Sequence, residues 1–273
     1  MMQHFSITPG AILRSCWTNR HLLFSLVRRE VVGRYRGSVL GLLWSFFNPI
    51  FMLAVYTFVF SVVFDARWGG ASGSKAEFAL ILFAGLLIFN LFAECINKAP
   101  NLILAHANYV TKVIFPLEII PWVVLGSALF HAGISLLVWF LFSLFIYGLP
   151  PITILLLPAL LVPLVAMIMG LSWGLSSLGL YLRDVSQVVG ILVTALMFLT
   201  PIFYPVAVIP EAYRFFIYLN PLTTLVEQTR DLLIYGKIFN LTGYCLLTAG
   251  ALLMAWLGFA WFQKSRKGFA DVL

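Results

Sequence analysis

The ionisable residues that could do chemistry are few and scattered. The four histidines are His4, His21, His106 and His131, and no two of them have the spacing of paired metal ligands. The carboxylates nearest the apolar segments, Glu94, Glu118 and Asp184, lie far apart in the chain and share no active-site spacing with His106. The sequence therefore predicts no catalytic site and no metal site.

Nucleotide-binding chemistry is also absent from the sequence. No G-x-x-x-x-G-K-[ST] segment occurs, so we expect no ATP bound through a P-loop in this chain. The three cysteines, Cys16, Cys95 and Cys245, are an odd number without metal-like spacing, which makes a disulfide framework unexpected. We therefore expect no cofactor in this chain.

The composition indicates an all-α polytopic membrane protein. The 273 residues are 62% hydrophobic and 10% charged, with a mean hydropathy of +1.01, whereas a soluble domain is about one quarter charged. The net charge of +7 would fit a nucleic-acid partner in a soluble protein. In a membrane protein the excess of positive charge in cytoplasmic segments is the simpler cause, so no nucleic-acid partner is expected.

Six apolar segments are long enough to cross a bilayer core, which takes about 20 helical residues. They are residues 39–64, 78–97, 117–147, 152–181, 186–204 and 241–262. A basic segment, Arg28–Ser38, precedes the first of them and should stay in the cytoplasm. We therefore expect a cytoplasmic N-terminus over residues 1–38, one transmembrane domain over 39–273, and both termini inside.

Two regions are amphipathic and not uniformly apolar. Residues 19–32 predict a helix that lies in the membrane interface, although a charged leader that only sets orientation remains the alternative. Residues 205–240 are too polar for a span and too apolar for a free loop, which indicates two short helices at about 210–219 and 222–235. Asn220-Pro221 signals the start of the second helix, and Gly236 signals its end. The helical pattern places Glu227, Gln228, Arg230 and Asp231 on its polar side.

The apolar segments contain few side chains that indicate a function. His131 is a functional candidate because ionisable groups are costly inside a membrane, but a neutral histidine bonded to a neighbouring helix is the favoured interpretation. The shortage of acids and bases argues against transport coupled to protons or sodium. In the first segment, Trp44, Phe47, Phe51 and Phe58 recur near one helical face, and they either face lipid or offer rings for stacking on sugars.

Four stretches, in order, resemble segments of ABC-2-type exporter permeases, and they are most similar to those that export polysaccharides such as O-antigen, capsule and teichoic acid. The stretches are Arg28-Arg29-Glu30 through Arg34-Tyr35-Arg36-Gly37-Ser38-Val39-Leu40-Gly41 to Leu43-Trp44 and Asn48-Pro49; Lys112-Val113-Ile114-Phe115-Pro116-Leu117-Glu118-Ile119-Ile120-Pro121; Thr200-Pro201-Ile202-Phe203-Tyr204-Pro205; and Leu219-Asn220-Pro221-Leu222 with Glu227 and Arg230. Each stretch alone is weak. Together they cover nearly the whole chain with the same six-span plan.

The resemblance implies the membrane-spanning permease subunit of an ATP-driven exporter in the bacterial inner membrane, and not an enzyme. Two copies would form a homodimer around a tunnel. Two copies of a separate ATPase, which binds ATP and Mg, would dock on the cytoplasmic side. The transported species would be a glycan linked to undecaprenyl diphosphate.

The resemblance also implies roles for particular residues. Spans 1 and 5 would line the tunnel with Trp44, Phe47, Phe51, Phe58, Phe198 and Tyr204. The loop with Lys98, Asn101, His106 and Lys112, together with the interface helix, would couple to the ATPase. The two short helices would dip back into the membrane and gate the exit through Tyr213, Asn220, Pro221, Glu227 and Arg230.

Four arginines near the inner face, Arg28, Arg29, Arg34 and Arg36, would contact the carrier diphosphate, since guanidinium groups pair well with phosphate. Alternatively they only set the orientation and bind anionic lipid. Two other functions stay open for the chain. One is the export of a small drug or lipid, and the other is a membrane-embedded transferase acting on lipid-linked sugars.

Overall fold

The computed structural model describes residues 6–59, 75–111 and 115–273, and over these ranges the chain forms helices and turns without strands. Residues 60–64 of the first predicted span, the loop at 65–74 and Lys112 lie outside the described residues. The helices are α1 Pro9–Thr18, α2 Arg20–Arg34, α3 Trp44–Thr57, α4 Lys75–Lys98, α5 Leu102–Ala105, α6 Ala107–Thr111, α7 Ile120–Ile146, α8 Leu157–Tyr181, α9 Val185–Leu199, α10 Glu211–Tyr218, α11 Pro221–Arg230, α12 Leu241–Ser265 and α13 Phe269–Val272.

Among the described residues, four helical stretches are long and apolar enough to cross a membrane, so the chain is an integral membrane protein. They are Lys75–Ala105, Leu117–Ile146, Ile152–Tyr181 and Leu241–Val272. Two shorter apolar helical stretches, Gly41–Thr57 and Val185–Leu199, correspond to the first and fifth predicted spans. At 1.5 Å per residue, the 15 residues of α9 extend about 22 Å, which is less than the roughly 30 Å of a bilayer core.

Helix α4 lies at the centre of the bundle. It packs against α3, α7, α8, α9 and α11, and 83% of the residues in its most apolar segment are buried inside the protein. The indole Nε1 of Trp139 on α7 donates to the carbonyl of Leu80 on α4 at 3.1 Å. We call the end of the bundle that holds Lys98 and Arg266 the basic end, and the end that holds α10 the opposite end.

Glycines permit the closest helix contacts. A Cβ atom added to Gly258 on α12 would collide with the carbonyl oxygen of Gly170 on α8, and one added to Gly179 would collide with the carbonyl oxygen of Pro100. Small residues let backbones approach in membrane bundles, where lipid is as apolar as the side chains and packing has to drive association. These contacts join α8 both to α12 and to the turn after α4.

The N-terminal region differs from the prediction in two respects. Two helices, α1 and α2, precede the first apolar segment where the pattern predicted one helix at 19–32. In addition, α3 begins at Trp44 and not near residue 39. Gly37 and Gly41 have φ of 86° and 51°, a left-handed conformation that interrupts a right-handed helix and suits glycine.

The region between α9 and α12 contains the two short helices that the sequence predicts. The Oδ1 atom of Asn220 accepts a hydrogen bond from the backbone N–H of Leu222 at 3.0 Å, which is the expected N-terminal cap. Residues Asp231–Tyr235 continue α11 as a π-helical turn. Gly236 then ends the helix with φ of 64°, as the sequence predicts.

Candidate functional site

A charged network at the basic end joins α2, α4 and α7. The Nη2 atom of Arg34 lies 2.7 Å from Oε1 of Glu94, and the Nη1 atom of Arg34 donates to Nδ1 of His131 at 2.8 Å. Oε2 of Glu94 lies 3.2 Å from the same histidine nitrogen. Lys98 extends the network, with Nζ 3.1 Å from Oε1 of Glu30 and 3.7 Å from Oε1 of Glu94. His131 is therefore bonded to neighbouring helices, and its partners are charged.

A cavity of about 680 Å³ opens beside this network. It lies between α3, α4 and α7, and the last residues of α2 close its basic end. We call it the α3–α4–α7 cavity. Its polar lining includes Arg34, Glu94, Lys98 and His131 at the basic end, together with Trp44, Asn48, Tyr56, Asn90 and Ser135 further along the helices.

The six residues proposed to line a tunnel divide between two regions of the chain. Trp44, Phe47, Phe51 and Phe58 are all exposed on the first apolar helix, although Trp44 also borders the α3–α4–α7 cavity. Phe198 is exposed at the end of α9, and the hydroxyl of Tyr204 donates to its carbonyl at 2.8 Å. Within one copy of the chain, the described residues leave these faces of α3 and α9 uncovered.

A second cavity, of about 630 Å³, is lined entirely by residues 186–198 of α9. Gly190, Thr194 and Ala195 line it, together with the apolar side chains of Ile191 and Phe198. The hydroxyl of Thr194 donates to the carbonyl of Gly190 at 2.9 Å, so this polar group is satisfied within the helix. The open face of α9 is thus a mainly apolar groove that also carries the polar side chains of Ser186, Gln187 and Thr194.

Arg230, which the helical pattern placed on the polar side of α11, is buried with 3% of its surface exposed. Its guanidinium donates to three backbone carbonyls, those of Ile81 at 3.1 Å, Pro201 at 2.6 Å and Ile202 at 2.7 Å. The first belongs to α4 and the other two to the turn after α9. Arg230 therefore holds three separate segments together at the opposite end.

The other proposed gate residues lie in different environments. The Nδ2 atom of Asn220 donates to Oγ1 of Thr200 at 2.9 Å, which ties the start of α11 to the turn after α9. Pro221 occupies the first helical position of α11. Tyr213 is exposed on α10 and makes no part of this cluster.

Glu227 faces a cavity of about 670 Å³ between α10 and α11, which Arg214, Tyr218, Asp231 and Lys237 also line. Burial raises the pKa of the Glu227 carboxyl, and the hydroxyl of Tyr218, which donates to that carboxyl, opposes the rise. The cavity therefore contains both acidic and basic side chains at the opposite end of the bundle.

The residues proposed to couple to an ATPase lie around a cavity of about 350 Å³ between α2 and the turn after α4. Lys98, Asn101 and His106 all line it, whereas Lys112 lies outside the described residues. His106 stacks on Tyr109 with ring centroids 5.6 Å apart, and Arg29 donates to the Tyr109 hydroxyl at 2.7 Å. The interface helix and this loop are thus directly connected.

The four arginines proposed to contact a diphosphate are not equivalent in the structure. Arg34 and Arg29 are engaged with Glu94 and Tyr109. All four are exposed near the basic end. What distinguishes Arg28 and Arg36 is that their guanidinium groups are not engaged by such a partner among the described residues.

The sequence did not predict one further network of polar contacts. The guanidinium of Arg266, just beyond α12, reaches Oε2 of Glu118 at 2.7 Å and the carbonyl of Phe115 at 2.8 Å. The hydroxyl of Ser15 on α1 donates to Oε1 of Glu118 at 3.0 Å. No signal in the sequence links these residues, because 148 positions separate Arg266 from Glu118.

Metal binding receives no support from the geometry. In the described parts of the chain, no group of three or more histidine, cysteine, aspartate or glutamate residues is placed to hold a metal ion. The three free cysteines lie in different environments, with Cys95 buried and Cys245 exposed.

Comparison with known proteins places these features in a family. The model of the family described as ABC-2 type transporter matches residues 21–234. The O-antigen export system permease protein RfbA of Myxococcus xanthus is 27% identical over 262 residues, which cover 95% of this chain and 98% of that protein. An RfbA permease of Klebsiella pneumoniae is 28% identical over 256 residues, covering 92% of this chain and 95% of the relative. The polysialic acid transport protein KpsM of Escherichia coli is 23% identical over 251 residues, covering 88% and 91% of the two chains. The chain belongs to the ABC-2 type transporter family.

Proposed function

We propose that this chain is the membrane-spanning permease subunit of an ATP-driven ABC exporter that moves a lipid-linked, O-antigen-like polysaccharide across the bacterial inner membrane. The observation that carries the proposal is the match to O-antigen export permeases over nearly the whole length of both chains. The lack of a P-loop in the sequence and of converging catalytic groups in the described residues supports a transport subunit whose ATP and Mg are bound by a partner.

The uncovered faces of α3 and α9 support a tunnel formed by two copies. Both helices are short and apolar, and both expose large side chains, among them Phe51 on α3 and Ile191 on α9. In a homodimer these faces would lie along the shared axis. The six-span topology follows if α3 and α9 cross the membrane together with the turns that flank them, and both termini then lie on one side.

The proposed orientation of the chain in the membrane follows from its charge distribution. The basic end carries α2 with its arginines, Lys98 and Arg266, and cytoplasmic segments of membrane proteins are enriched in Lys and Arg. We therefore assign the basic end to the cytoplasm. Two copies of the ATPase would dock there, against the cavity between α2 and the loop with Asn101 and His106.

The opposite end would then hold an exit gate made of α10 and α11. Helix α11 packs beside Ile81 and Gly85, six and ten residues into α4. This placement corresponds to a depth of about 9–15 Å at 1.5 Å per residue, which supports re-entrant helices that do not span the membrane. The exposed aromatic residues Tyr213, Phe215 and Phe216 on α10 suit the membrane interface.

The carrier diphosphate would meet the exposed Arg28 and Arg36 first. Each guanidinium offers paired N–H donors that match phosphate oxygens. Arg34 is paired with Glu94 at 2.7 Å, so binding a diphosphate there would require that pair to break.

The test is co-purification followed by a deletion. The chain, solubilised in mild detergent, is expected to carry a stoichiometric P-loop ATPase whose hydrolysis depends on it, and a deletion strain is expected to lose its surface polysaccharide. Complementation with the intact gene is the control. A chain that purifies without an ATPase from native membranes, or a deletion strain with unchanged surface polysaccharide, would contradict the proposal.

A further inference from the structure

Two asparagine side chains stand out in the α3–α4–α7 cavity. Between Phe78 and Ile96, a fully described stretch of α4, Asn90 is the only exposed position. Asn48 on α3 is also exposed and lines the same cavity. Neither carboxamide has a hydrogen-bond partner within the described part of the chain. At membrane depth, where lipid offers no partner, such groups require water or a polar ligand.

Asn90 lies too deep along α4 for its exposed side chain to be explained by a position at the membrane interface. It lies eight residues from Lys98 along α4, which at 1.5 Å per residue is about 12 Å from the basic end. Asn90, Glu94 and Asn97 follow one another at helical spacing and all line the cavity. One face of the most buried helix is therefore polar and open over two turns.

The charges at the basic end of the cavity are already balanced by neighbours. Arg34 is 2.7 Å from Glu94, and Lys98 is 3.1 Å from Glu30. A phosphate would have to displace a carboxylate from each cation, and a metal cation would meet only one carboxylate beside two cations. Apart from these charged groups, His131 and the Trp44 indole, the polar side chains of the lining are amides and hydroxyls. Such groups both donate and accept hydrogen bonds, and together with the apolar part of the lining they favour a neutral ligand rich in hydroxyl groups.

Aromatic rings complete the lining. Trp44 and Tyr56 lie on α3, on the same side as Asn48, and Tyr35 closes the basic end. The face of an aromatic ring carries partial negative charge and attracts C–H groups, which cover the flat side of a sugar ring. The cavity volume of about 680 Å³ falls within the range of about 300–1,000 Å³ that is typical of ligand pockets.

We propose that the α3–α4–α7 cavity binds a sugar unit within each copy of the chain, apart from any tunnel between copies. Asn48 and Asn90 hold the sugar hydroxyls, and Trp44 packs against the ring. This inference rests on the proposed function, because the exported glycan supplies the sugar. The cavity is then a recognition site for the glycan; Trp44 and Asn48 of α3 line it, whereas Phe47 and Phe51 do not.

The test uses the chain with its ATPase in lipid nanodiscs. The probes are the methyl glycosides of glucose, galactose, mannose and N-acetylglucosamine, titrated with saturation-transfer NMR as the measure of binding. At least one probe is expected to bind, and Asn90→Leu and Asn48→Leu are each expected to weaken that binding about tenfold, as loss of hydrogen bonds to one amide would do. The matched control is Asn108→Leu, at an exposed asparagine of α6 outside the cavity, which should leave binding unchanged.

Two results would overturn the proposal. One is a wild-type complex that binds none of the glycosides, which would mean a cavity filled by water, lipid or a second copy. The other is binding that both leucine variants retain at full strength. These results are separable from failure of the proposed function, which shows in the deletion strain as unchanged surface polysaccharide. A deletion strain that loses its polysaccharide, combined with no glycoside binding, removes the cavity proposal alone.

Discussion

The Nη1 atom of Arg266 lies 2.7 Å from Oε2 of Glu118, so residues 148 positions apart form an ion pair at the basic end. Both side chains are largely buried, with 13% and 14% of their surfaces exposed. Glu118 also accepts a hydrogen bond from Ser15 on α1. The pair thus joins the N-terminal helix, the start of α7 and the end of α12.

Removing one partner of this pair should destabilise the protein. Arg266→Met or Glu118→Gln leaves the other charge buried without its partner, and we expect a loss of roughly 3 kcal/mol. The double variant should lose less than the sum of the two single losses, because it leaves neither charge alone. Thermal unfolding followed by fluorescence-detected gel filtration measures all four proteins. Single variants that unfold at the wild-type temperature would contradict the prediction.

Arg230 should not be replaceable by lysine. The guanidinium reaches carbonyls of three residues in two segments, and an ammonium group cannot reproduce that planar geometry. Each lost hydrogen bond from a charged donor costs about 1.5–3 kcal/mol. We expect Arg230→Lys to insert into the membrane but to expose residues 200–235 to limited proteolysis.

The control for Arg230 is Arg183→Lys, at an exposed arginine of the turn between α8 and α9. This variant should show the wild-type digestion pattern. If Arg230→Lys is equally resistant to protease, Arg230 does not hold the segments together.

Gly258 should not tolerate a methyl group. A Cβ atom there would collide with the carbonyl oxygen of Gly170, which is backbone and cannot move aside cheaply. We expect Gly258→Ala to destabilise the protein by about 1–3 kcal/mol. The matched control lies on the same helix, since a Cβ on Gly250 would meet no atom within 4 Å. Gly250→Ala should leave thermal stability unchanged or raise it by up to about 1 kcal/mol.

Asn220 should stabilise α11 by capping its N-terminus and not only through its contact with Thr200. Asn220→Ala removes both the hydrogen bond from Leu222 and the one to Thr200, whereas Thr200→Val removes only the second. We expect α11 to lose about 1 kcal/mol more in the alanine variant. Hydrogen exchange of residues 221–230, read by mass spectrometry, compares the two. Equal protection in both variants would show that the cap contributes nothing.

Phe51 should face water if α3 lines a tunnel. We would place single cysteines at Phe51, which is 66% exposed, and at Leu53, which is 5% exposed, in a chain with its native cysteines replaced. A charged, membrane-impermeant thiol reagent should modify Phe51→Cys in the assembled complex and leave Leu53→Cys unmodified. Modification of Phe51→Cys by a lipid-soluble reagent alone would place this face of α3 against lipid and contradict the tunnel.

Local features were readable from the sequence because each depends on residues close together in the chain. The hydropathy of continuous segments predicted the apolar helices. The cap at Asn220 and the end at Gly236 followed from the short-range geometry of helix termini. The sequence does not predict the interruption between α2 and α3, although it contains Gly37 and Gly41, because glycine permits a positive φ without requiring one.

The contacts that build the candidate sites depended on tertiary structure. The sequence marked His131 as a lone ionisable residue, and only the packing of α7 against α4 and α2 brought Glu94 and Arg34 to it. Arg230 was assigned to a polar helix face, and it is buried because α11 packs against α4. Lipid solvates every apolar helix face about equally well. Hydropathy therefore predicts that a helix is inserted in the membrane, but it does not predict which helices pack against each other. Which faces meet is decided by close packing and by hydrogen bonds between residues distant in the chain.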